Sequence, residues 1–393
     1  MNNSSNSRRE FMKTTAIVGG AVALGGVNLF GANASNALSK PTQNKPIKCK
    51  GWAAFDTSGV LKPYEFERRA VGKNDILIEI KFASICHSDI HQIKGDWGKQ
   101  IYPQVPGHEI VGIVTQVGEN VKNFKVGDRA GVGCMVDNFE GVRGDEQYDK
   151  NTLFTYGFVD KREPTGISQG GYSTHIVVNS HFAIKIPTNI SFEEAVPLLC
   201  AGVTTYSPLM KYQIKKGDKV GVAGIGGLGH IAIKLAVSKG AKVYAFTTSK
   251  DKVADIKGFG ASEVIVIEDA LKNTQALDAY KGKLDYMIST IPVQFDVASY
   301  VSCVKPFGTF TQVGMSAKFE LTLSNFGLAQ SRVNLTASLI GDMKETQEVM
   351  DYCAKNKIYP KIEVIEAKEI NKAWQKVLEK KARYRYVIDS ASI

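Results

Sequence analysis

The sequence has 393 residues, of which 44% are hydrophobic and 22% are charged, the balance of an ordinary globular protein. The formal net charge is +10, but acidic residues lie between the basic ones, and no run of lysine or arginine carries interleaved aromatic residues. This pattern gives little support to a nucleic-acid surface and suits an anionic small molecule better. The six cysteines are widely spaced without a CxxC pair, which argues against a disulfide framework.

The first 34 residues have the organisation of an export signal. Arg8 and Arg9 in SRREFMK precede an apolar, glycine-rich run, and the small residues 32–34 (ANA) follow it. The order Ser-Arg-Arg-x-Phe-x-Lys resembles the twin-arginine signal, which implies twin-arginine export machinery as a partner and a periplasmic location. A membrane anchor is the alternative, but the glycines weaken the helix, so no stable membrane insertion is expected. Residues 35–46 are polar, contain two prolines and read as a linker.

The pattern of predicted elements changes near residue 200. Before it, β-branched runs such as ILIEIKFASI, EIVGIVTQVG and GVGCMV lie between glycine and aspartate turns, which predicts a β-rich part. After it, strand and helix patterns alternate through KVGVAG, HIAIKLAVSKG, KVYAFTT and EVIVI, which is typical of a parallel sheet with crossover helices. From about residue 338, two amphipathic helices and the strand YRYVID follow, and we expect this tail to return to the first part.

Four residues from three separate segments form a candidate metal site. Cys86 ends a predicted strand in ASICHSDIH, His108 and Glu109 follow a glycine in VPGHEIVG, and Cys200 ends AVPLLC. Zinc prefers thiolate and imidazole ligands in a tetrahedral arrangement, and a catalytic site keeps one position for solvent or substrate. Taken singly, each residue has an ordinary structural explanation, since a lone buried cysteine commonly packs as a small hydrophobe.

A glycine-rich segment, GVAGIGGLGH, predicts a dinucleotide-binding loop. It follows a strand-like run and opens a helix pattern, the context in which GxGxxG spacing binds a pyrophosphate. The next strand ends in AFTTSKDK without the acidic residue of an NAD site, and hydroxyls with an ammonium group suit a 2′-phosphate. Asp251 is the one charge that disagrees, and it lies past the strand end. The residues predicted to bind NADP(H) are Gly224, Gly226, Gly227, Leu228, Gly229, Thr247, Thr248, Ser249 and Lys252.

These motifs occur in the order of a known family. The run from Gly107 to Val121, with CHSDIH before it and PLLCAGVTTYSPL after it, resembles the zinc-containing medium-chain dehydrogenases, and the likeness spans about residues 48–390. More narrowly, the chain resembles the cinnamyl alcohol dehydrogenase and bacterial aldehyde reductase branch. The resemblance implies an α/β fold with a GroES-like β-rich catalytic domain and a Rossmann domain with a doubly wound parallel sheet. The implied boundaries are 47–199 and 338–393 for the catalytic domain and 200–337 for the Rossmann domain.

The resemblance also implies roles for individual residues. Cys86, His108 and Cys200 would be ligands of a catalytic zinc, and Glu109 would be a displaceable fourth ligand. Asp89 would orient a zinc-binding histidine through its second ring nitrogen. A zinc ion and NADP(H) are therefore the expected cofactors.

The CHSDIH segment supplies an expected path for a proton. Ser88 and His91 would pass the proton of an alcohol to solvent by way of the cofactor ribose. The alternative role of Ser88, capping a helix that starts at SDIHQIK, is compatible with this relay. The implied activity is reversible hydride transfer between NADP(H) and a primary alcohol/aldehyde pair, aromatic or medium-sized. Trp97 either lines an apolar substrate pocket or belongs to the core. The rival interpretation is an exported protein that binds dinucleotide and zinc with little turnover, and the relay residues argue against it.

One segment departs from the family pattern. Relatives hold a structural zinc with C-x2-C-x2-C-x7-C spacing, whereas the corresponding positions here are Phe139, Val142, Asp145 and Leu153. One carboxylate among three apolar residues cannot form a zinc site, so the sequence predicts one zinc per chain. We expect the three apolar residues to pack inside this segment while Asp145 stays solvated. A homodimer is compatible with the sequence, but the departure leaves its contacts open.

Overall fold

The computed structural model describes residues 45–268, 274–316 and 320–393. The predicted signal peptide, residues 1–34, and all but the last two residues of the predicted linker lie outside these ranges. Within them, no helix combines the length and the apolar character needed to cross a membrane.

The first part of the described chain is rich in β-strands, as its sequence predicts. Long apolar runs become strands whose residues are largely buried, because both faces of their sheet are covered. Two of the strands form a separate antiparallel pair at the start of this part. The strands are β1 (Ile47–Ala54), β2 (Leu61–Arg68), β3 (Asp75–Ser84), β4 (Ile110–Val117), β5 (Arg129–Val132), β6 (Met135–Asn138), β7 (Thr152–Phe154), β8 (His175–Asn179) and β9 (Ala183–Lys185).

The predicted parallel sheet with crossover helices is confirmed in the second part. Its strands are β10 (Lys219–Ala223), β11 (Lys242–Thr247), β12 (Glu263–Val266), β13 (Leu284–Ser289), β14 (Val304–Gln312) and β15 (Asn334–Ala337). They lie in the order β12-β11-β10-β13-β14-β15, and every neighbouring pair is parallel. The order reverses between β10 and β13, so a crevice opens at their carboxyl ends, where ligands bind in such sheets.

The last part of the chain returns to the first sheet. Two further strands, β16 (Ile362–Glu366) and β17 (Arg385–Asp389), are parallel to each other. Strand β17 pairs antiparallel with β3, where Val387 lies opposite Ser84. The resulting seven-stranded sheet has the order β16-β17-β3-β4-β5-β9, with β8 also paired to β3. This arrangement brings YRYVID beside residues encoded about three hundred positions earlier.

The helices cover the faces of the parallel sheet and close the ends of several strands. Helix α8, which the sequence predicts from KETQEVMDYCAKN, buries one side and begins with a capping box of Asp342 and Glu345. The helices are α1 (His87–Lys94), α2 (Phe192–Ala195), α3 (Ala201–Lys211), α4 (Gly229–Ser238), α5 (Val253–Gly258), α6 (Val297–Ser302), α7 (Asn325–Ser331), α8 (Met343–Asn356) and α9 (Ile370–Leu378).

The run GVGCMV is not the single strand that its sequence predicts. Strand β5 ends at Val132 and β6 begins at Met135, so Gly133 and Cys134 form a break. The backbone packs closely against Leu199 here. A Cβ atom added to Gly133 would lie 2.7 Å from the Leu199 carbonyl oxygen. The break therefore follows from close packing against the segment that leads into Cys200, which no local pattern reveals.

Residues 139–174, between β6 and β8, form a segment that we call the lobe, and a cation within it, Arg162, ties the lobe to β6. Arg162 Nη1 donates to Asp137 Oδ2 at 2.7 Å, and its Nη2 donates to Asp160 Oδ2 at 2.8 Å. Both carboxylates are buried, whereas the guanidinium is 41% exposed. Arg162, Asp137 and Asp160 thus form an ionic cluster, which we call the clamp, at a lobe that lacks the four cysteines of a structural zinc site.

The prediction that three apolar residues pack inside the lobe is partly wrong. Phe139 is 56% exposed and does not fill the interior, because its ring lies under the guanidinium of Arg162, with 4.9 Å from Cζ to the ring centroid. Leu153 is buried and Val142 is half-buried, as expected of packing residues. Asp145 is exposed to solvent, also as expected.

Substitution of the clamp tests its contribution to stability. We expect Arg162→Ala to lower the free energy of unfolding by about 1–3 kcal/mol, because two buried carboxylates would lose the cation they share. Urea denaturation followed by circular dichroism measures the change. Lys73→Ala, which removes an exposed ion pair with Glu119, should cost less than about 0.5 kcal/mol. Equal losses in the two variants would show that the clamp adds nothing beyond a surface pair.

Candidate active site

Four buried side chains meet where the crevice of the parallel sheet faces the first sheet. Cys86, His108, Glu109 and Cys200 each offer one ligand atom, and these atoms all lie within 4.8 Å of one another. Each residue stands at the end of an element: Cys86 caps α1, Cys200 caps α3, and His108 and Glu109 lead into β4. Residues at the ends of helices and strands can direct their side chains toward one point while the helices and strands themselves stay packed.

The two thiols differ in acidity. The pKa of Cys86 lies well below its ordinary value, mainly because Cys200 donates a hydrogen bond to it, with a further contribution from the positive charge of His108. The pKa of Cys200 lies well above its ordinary value, because Cys134 and Cys86 stand beside it. These opposite directions favour a thiolate at Cys86 over one at Cys200, and the thiolate is the form of cysteine that binds metals.

A buried carboxylate fixes the orientation of the imidazole. Asp89 Oδ1 accepts a hydrogen bond from His108 Nδ1 at 2.8 Å, which leaves Nε2 for a ligand on the opposite side of the ring. The hydroxyl of Tyr156 donates to the same oxygen at 2.8 Å, and Tyr172 donates to Oδ2 at 2.9 Å. Asp89 has the position that the family resemblance implies. The two tyrosines carry no local sequence signal and were not predicted.

Glu109 has a partner that the sequence analysis missed. Arg385 forms a buried ion pair with Glu109 Oε2 and donates to Ser84 Oγ at 2.8 Å, while Glu109 Oε1 accepts from the backbone N–H of Ala201 at 3.2 Å. Burial raises the pKa of Glu109 to about 7, although Arg385 opposes the shift. A Cβ atom on Gly227 would lie 3.0 Å from Arg385 Cδ, so the arginine also borders the glycine loop. The only sequence signal for Arg385 is its place at the start of the predicted strand YRYVID.

The predicted relay residues line the same cleft. Helix α1 begins at His87, so Ser88 lies in the first turn and does not cap the helix, since Cys86 has that position. His91 Nδ1 lies 2.6 Å from Asp96 Oδ2, and its buried Nε2 has no hydrogen-bond partner among the described residues. The imidazole is thus fixed on one side and free on the other.

Trp97 differs from both expectations. It is 37% exposed, so it is not a core residue, and it does not line the cleft that holds Cys86 and the glycine loop. Its ring centroid lies 5.3 Å from that of His91. Trp97 therefore packs against the relay histidine on the solvent side.

The glycine loop has the shape that a pyrophosphate requires. Gly224 has a positive φ of 83°, and a Cβ atom on Gly229 would lie 2.1 Å from the Gly224 carbonyl oxygen, so neither position accepts a side chain without strain. A Cβ atom on Gly226 would meet nothing within 4 Å, which leaves room in front of the loop. Gly224, Gly226, Gly227 and Leu228 line the cleft, while Gly229 begins α4 behind them.

The residues predicted to select the cofactor lie at the carboxyl end of β11 and line the same cleft. Thr247 is buried and its Oγ1 accepts from the backbone N–H of Ser249 at 3.1 Å, while Thr248 is exposed. Lys252 is only 5% exposed, and its pKa is lowered by burial and by the charge of Arg383. Four residues predicted to select the cofactor therefore line the cleft together with the glycine loop: Thr247, Thr248, Ser249 and Lys252.

Comparisons with known proteins agree with this architecture. Residues 72–188 match the alcohol dehydrogenase GroES-like domain, and residues 227–355 match the zinc-binding dehydrogenase family. A probable mannitol dehydrogenase of Mesembryanthemum crystallinum is 42% identical, with 91% of this chain and 98% of that protein covered. The NADP-dependent alcohol dehydrogenase C 1 of Mycolicibacterium smegmatis is also 42% identical, with 87% and 98% covered.

A solved structure extends the likeness to three dimensions. CAD from Helicobacter pylori, complexed with NADP(H), has 40% sequence identity and a TM-score of 0.82, with 88% of this chain and 99% of that chain covered. The predicted fold class, a GroES-like part joined to a Rossmann-like parallel sheet, is confirmed. Because relatives with about two-fifths identity match over almost their whole length, the chain belongs to the zinc-type medium-chain alcohol dehydrogenase family.

Proposed function

We propose that the protein transfers hydride reversibly between NADP(H) and a primary alcohol/aldehyde pair at a single zinc site. The observation that carries the proposal is the cluster of four buried donors, two of which, Cys86 and Cys200, line the same cleft as the glycine loop. The relatives named above include an NADP-dependent alcohol dehydrogenase, which agrees with this activity. A binding protein without turnover has no observation in its favour.

The donor set fits zinc. Two sulfurs, one imidazole nitrogen and one carboxylate oxygen are ligand types that zinc would bind, and Asp89 accepts from Nδ1 of His108, which leaves Nε2 for the metal. We infer that Cys86, His108 and Cys200 hold the metal and that Glu109 is the ligand that leaves. When bound, zinc would polarise the substrate oxygen, and the nicotinamide would supply or accept the hydride.

The surrounding side chains balance the charge of Glu109 and offer a path for the proton of the alcohol. Arg385 offers Glu109 an ion pair whenever the carboxylate is not a ligand, so its release does not strand a buried charge. Ser88 and His91 line the cleft together with Cys86, and the buried Nε2 of His91 has no hydrogen-bond partner among the described residues; we infer that these two residues move the proton of the alcohol. Asp96 accepts from Nδ1 of His91 and so directs the other nitrogen into the cleft.

The cleft favours an apolar substrate. The wall of the cleft includes the apolar side chains of Val293, Met315 and Leu339. Apolar walls bind aromatic or medium-sized aliphatic chains through the hydrophobic effect and fix their orientation with few polar groups. We therefore propose an aromatic or medium-sized primary alcohol or aldehyde.

Metal analysis tests the single zinc site. We expect about one zinc per chain in the purified protein, and Cys200→Ser should remove the ion and lower kcat/KM by at least a hundredfold, because a neutral hydroxyl is a poor zinc ligand. Elemental analysis and aldehyde reduction with NADPH measure the two effects. Cys353→Ala, which changes a buried cysteine on α8, should keep its zinc. A zinc content near two per chain would refute the single site, and a loaded wild-type protein inactive on a broad aldehyde panel would refute the activity.

Cofactor titrations test the 2′-phosphate site. Lys252→Ala should weaken NADPH binding about ten- to a hundredfold more than NADH binding, because a charge-assisted contact is lost. Thr247→Asp should go further, since it adds repulsion and offers a carboxylate to the NAD ribose. Lys250→Ala, which changes a lysine that is 74% exposed and paired with Glu268, is the matched control and should alter neither affinity. Equal loss of both cofactors in Lys252→Ala would mean that this residue does not bind the phosphate.

We also propose that residues 1–34 direct twin-arginine export to the periplasm. The paired arginines, the apolar run and the small residues after it support this route. Changing both Arg8 and Arg9 to lysine should retain folded, active precursor in the cytoplasm, because the signal precedes the enzyme. Cell fractionation with an activity assay measures the distribution, and Lys13→Arg should still be exported. Recovery of the Lys-Lys variant from the periplasm would instead indicate an ordinary secretory route.

A further inference from the structure

The charge that disagrees with NADP binding is already neutralised in this structure. Asp251 lies between the hydroxyls at the end of β11 and Lys252, where a free carboxylate would repel a 2′-phosphate and attract the lysine. Instead, Arg383 Nη2 donates to Asp251 Oδ2 at 2.6 Å, and its Nη1 donates to the Asp251 carbonyl oxygen at 3.2 Å. The arginine comes from the segment between α9 and β17, which belongs to the first sheet.

A second carboxylate near the site is held by the same segment. Asp255 Oδ2 accepts from Arg383 Nη1 at 3.1 Å and from the hydroxyl of Tyr384 at 3.3 Å. Lys361 Nζ, which lies just before β16, donates to Asp255 Oδ1 at 2.9 Å. Both acidic residues that flank Lys252 in the sequence are therefore occupied by groups from the C-terminal part of the chain.

This arrangement leaves Lys252 without a counter-ion. Its side chain is buried, and its Nζ donates one long hydrogen bond of 3.3 Å to the carbonyl oxygen of Lys380. The ring of Tyr384 lies 5.3 Å from Nζ, and no carboxylate among the described residues lies within 4 Å. An ammonium group buried without an anion is costly, so the position favours an anionic ligand in the cleft that Lys252 lines.

We propose that Arg383 is a positioning residue that determines specificity for NADP(H). It masks Asp251 and Asp255, which removes repulsion toward a 2′-phosphate and leaves Lys252 free to bind one. The inference rests on the proposed function, because it assigns a determinant of cofactor choice to the same site. It places that determinant more than a hundred residues away from the segment that contacts the phosphate.

Binding measurements without substrate test this role. We expect Arg383→Gln to lower the preference for NADPH over NADH about five- to tenfold, because the unmasked Asp251 would compete for Lys252. Adding Asp251→Asn to the same chain should restore the preference, which a merely structural role of Arg383 would not allow. Fluorescence titration with each cofactor gives the dissociation constants. Lys361→Gln, which leaves Asp251 paired, is the matched control and should keep the wild-type preference.

A further variant tests masking without removing the arginine. Asp251→Asn alone should change the preference by less than about twofold, because Arg383 already neutralises that carboxylate. A tenfold gain for NADPH in this variant would overturn the inference, and so would an unchanged preference in Arg383→Gln or a lack of rescue by Asp251→Asn. If the wild-type protein itself binds NADH as tightly as NADPH, the proposed cofactor fails and the inference falls with it. A wild-type preference for NADPH that survives Arg383→Gln sinks the inference alone.

Discussion

The ion pair between Glu109 and Arg385 is the interaction on which the rest of the cleft depends. Both side chains are buried, and hydrogen bonds to the other polar atoms of a buried pair offset part of its desolvation cost, although Arg385 Nε has no partner among the described residues. Ser84 at the end of β3 and the backbone of Ala201 at the start of α3 supply such bonds. The pair therefore requires β17 to lie against β3 and α3 to begin beside β4. The pairing of the C-terminal strand with the first sheet and the position of Glu109 in the donor cluster are consequently coupled through this ion pair.

Asp89 has a similar role on the other side of the cluster. Its carboxylate accepts from the backbone N–H groups of Cys86 and Gly107 at 3.0 and 3.2 Å, as well as from His108 and two tyrosines. A buried carboxylate with five donors is strongly held and has little freedom to move. Because the Asp89 carboxylate bonds both the backbone N–H of Cys86 and the ring of His108, it sets the separation of these two residues. The geometry of the cluster is thus determined by the protein before any ion binds.

The sequence reveals those features that depend on short-range pattern. Strands and helices with clear periodicity, such as β3 and α8, form where predicted, and the glycine loop has a local spacing that announces it. The ligand set came from motifs in a recognisable order. By contrast, Arg385 and Tyr172 reach the site only through the fold, and the exposure of Phe139 depends on an arginine more than twenty positions away. Domain boundaries remain a prediction, since the sheets alone do not fix where a linker begins.

Two arginines in the segment KARYRYVID connect the opposite ends of the cleft. Arg385 holds Glu109 at the donor cluster, and Arg383, two positions earlier, holds Asp251 at the proposed phosphate site. Between them, Tyr384 covers Lys252 with its ring and bonds Asp255 through its hydroxyl. A shift of this segment would move the ion-pair partners of Glu109 and Asp251 together. The donor cluster and the proposed cofactor site are therefore joined through three consecutive residues, which gives a physical reason for β17 to pair with the first sheet.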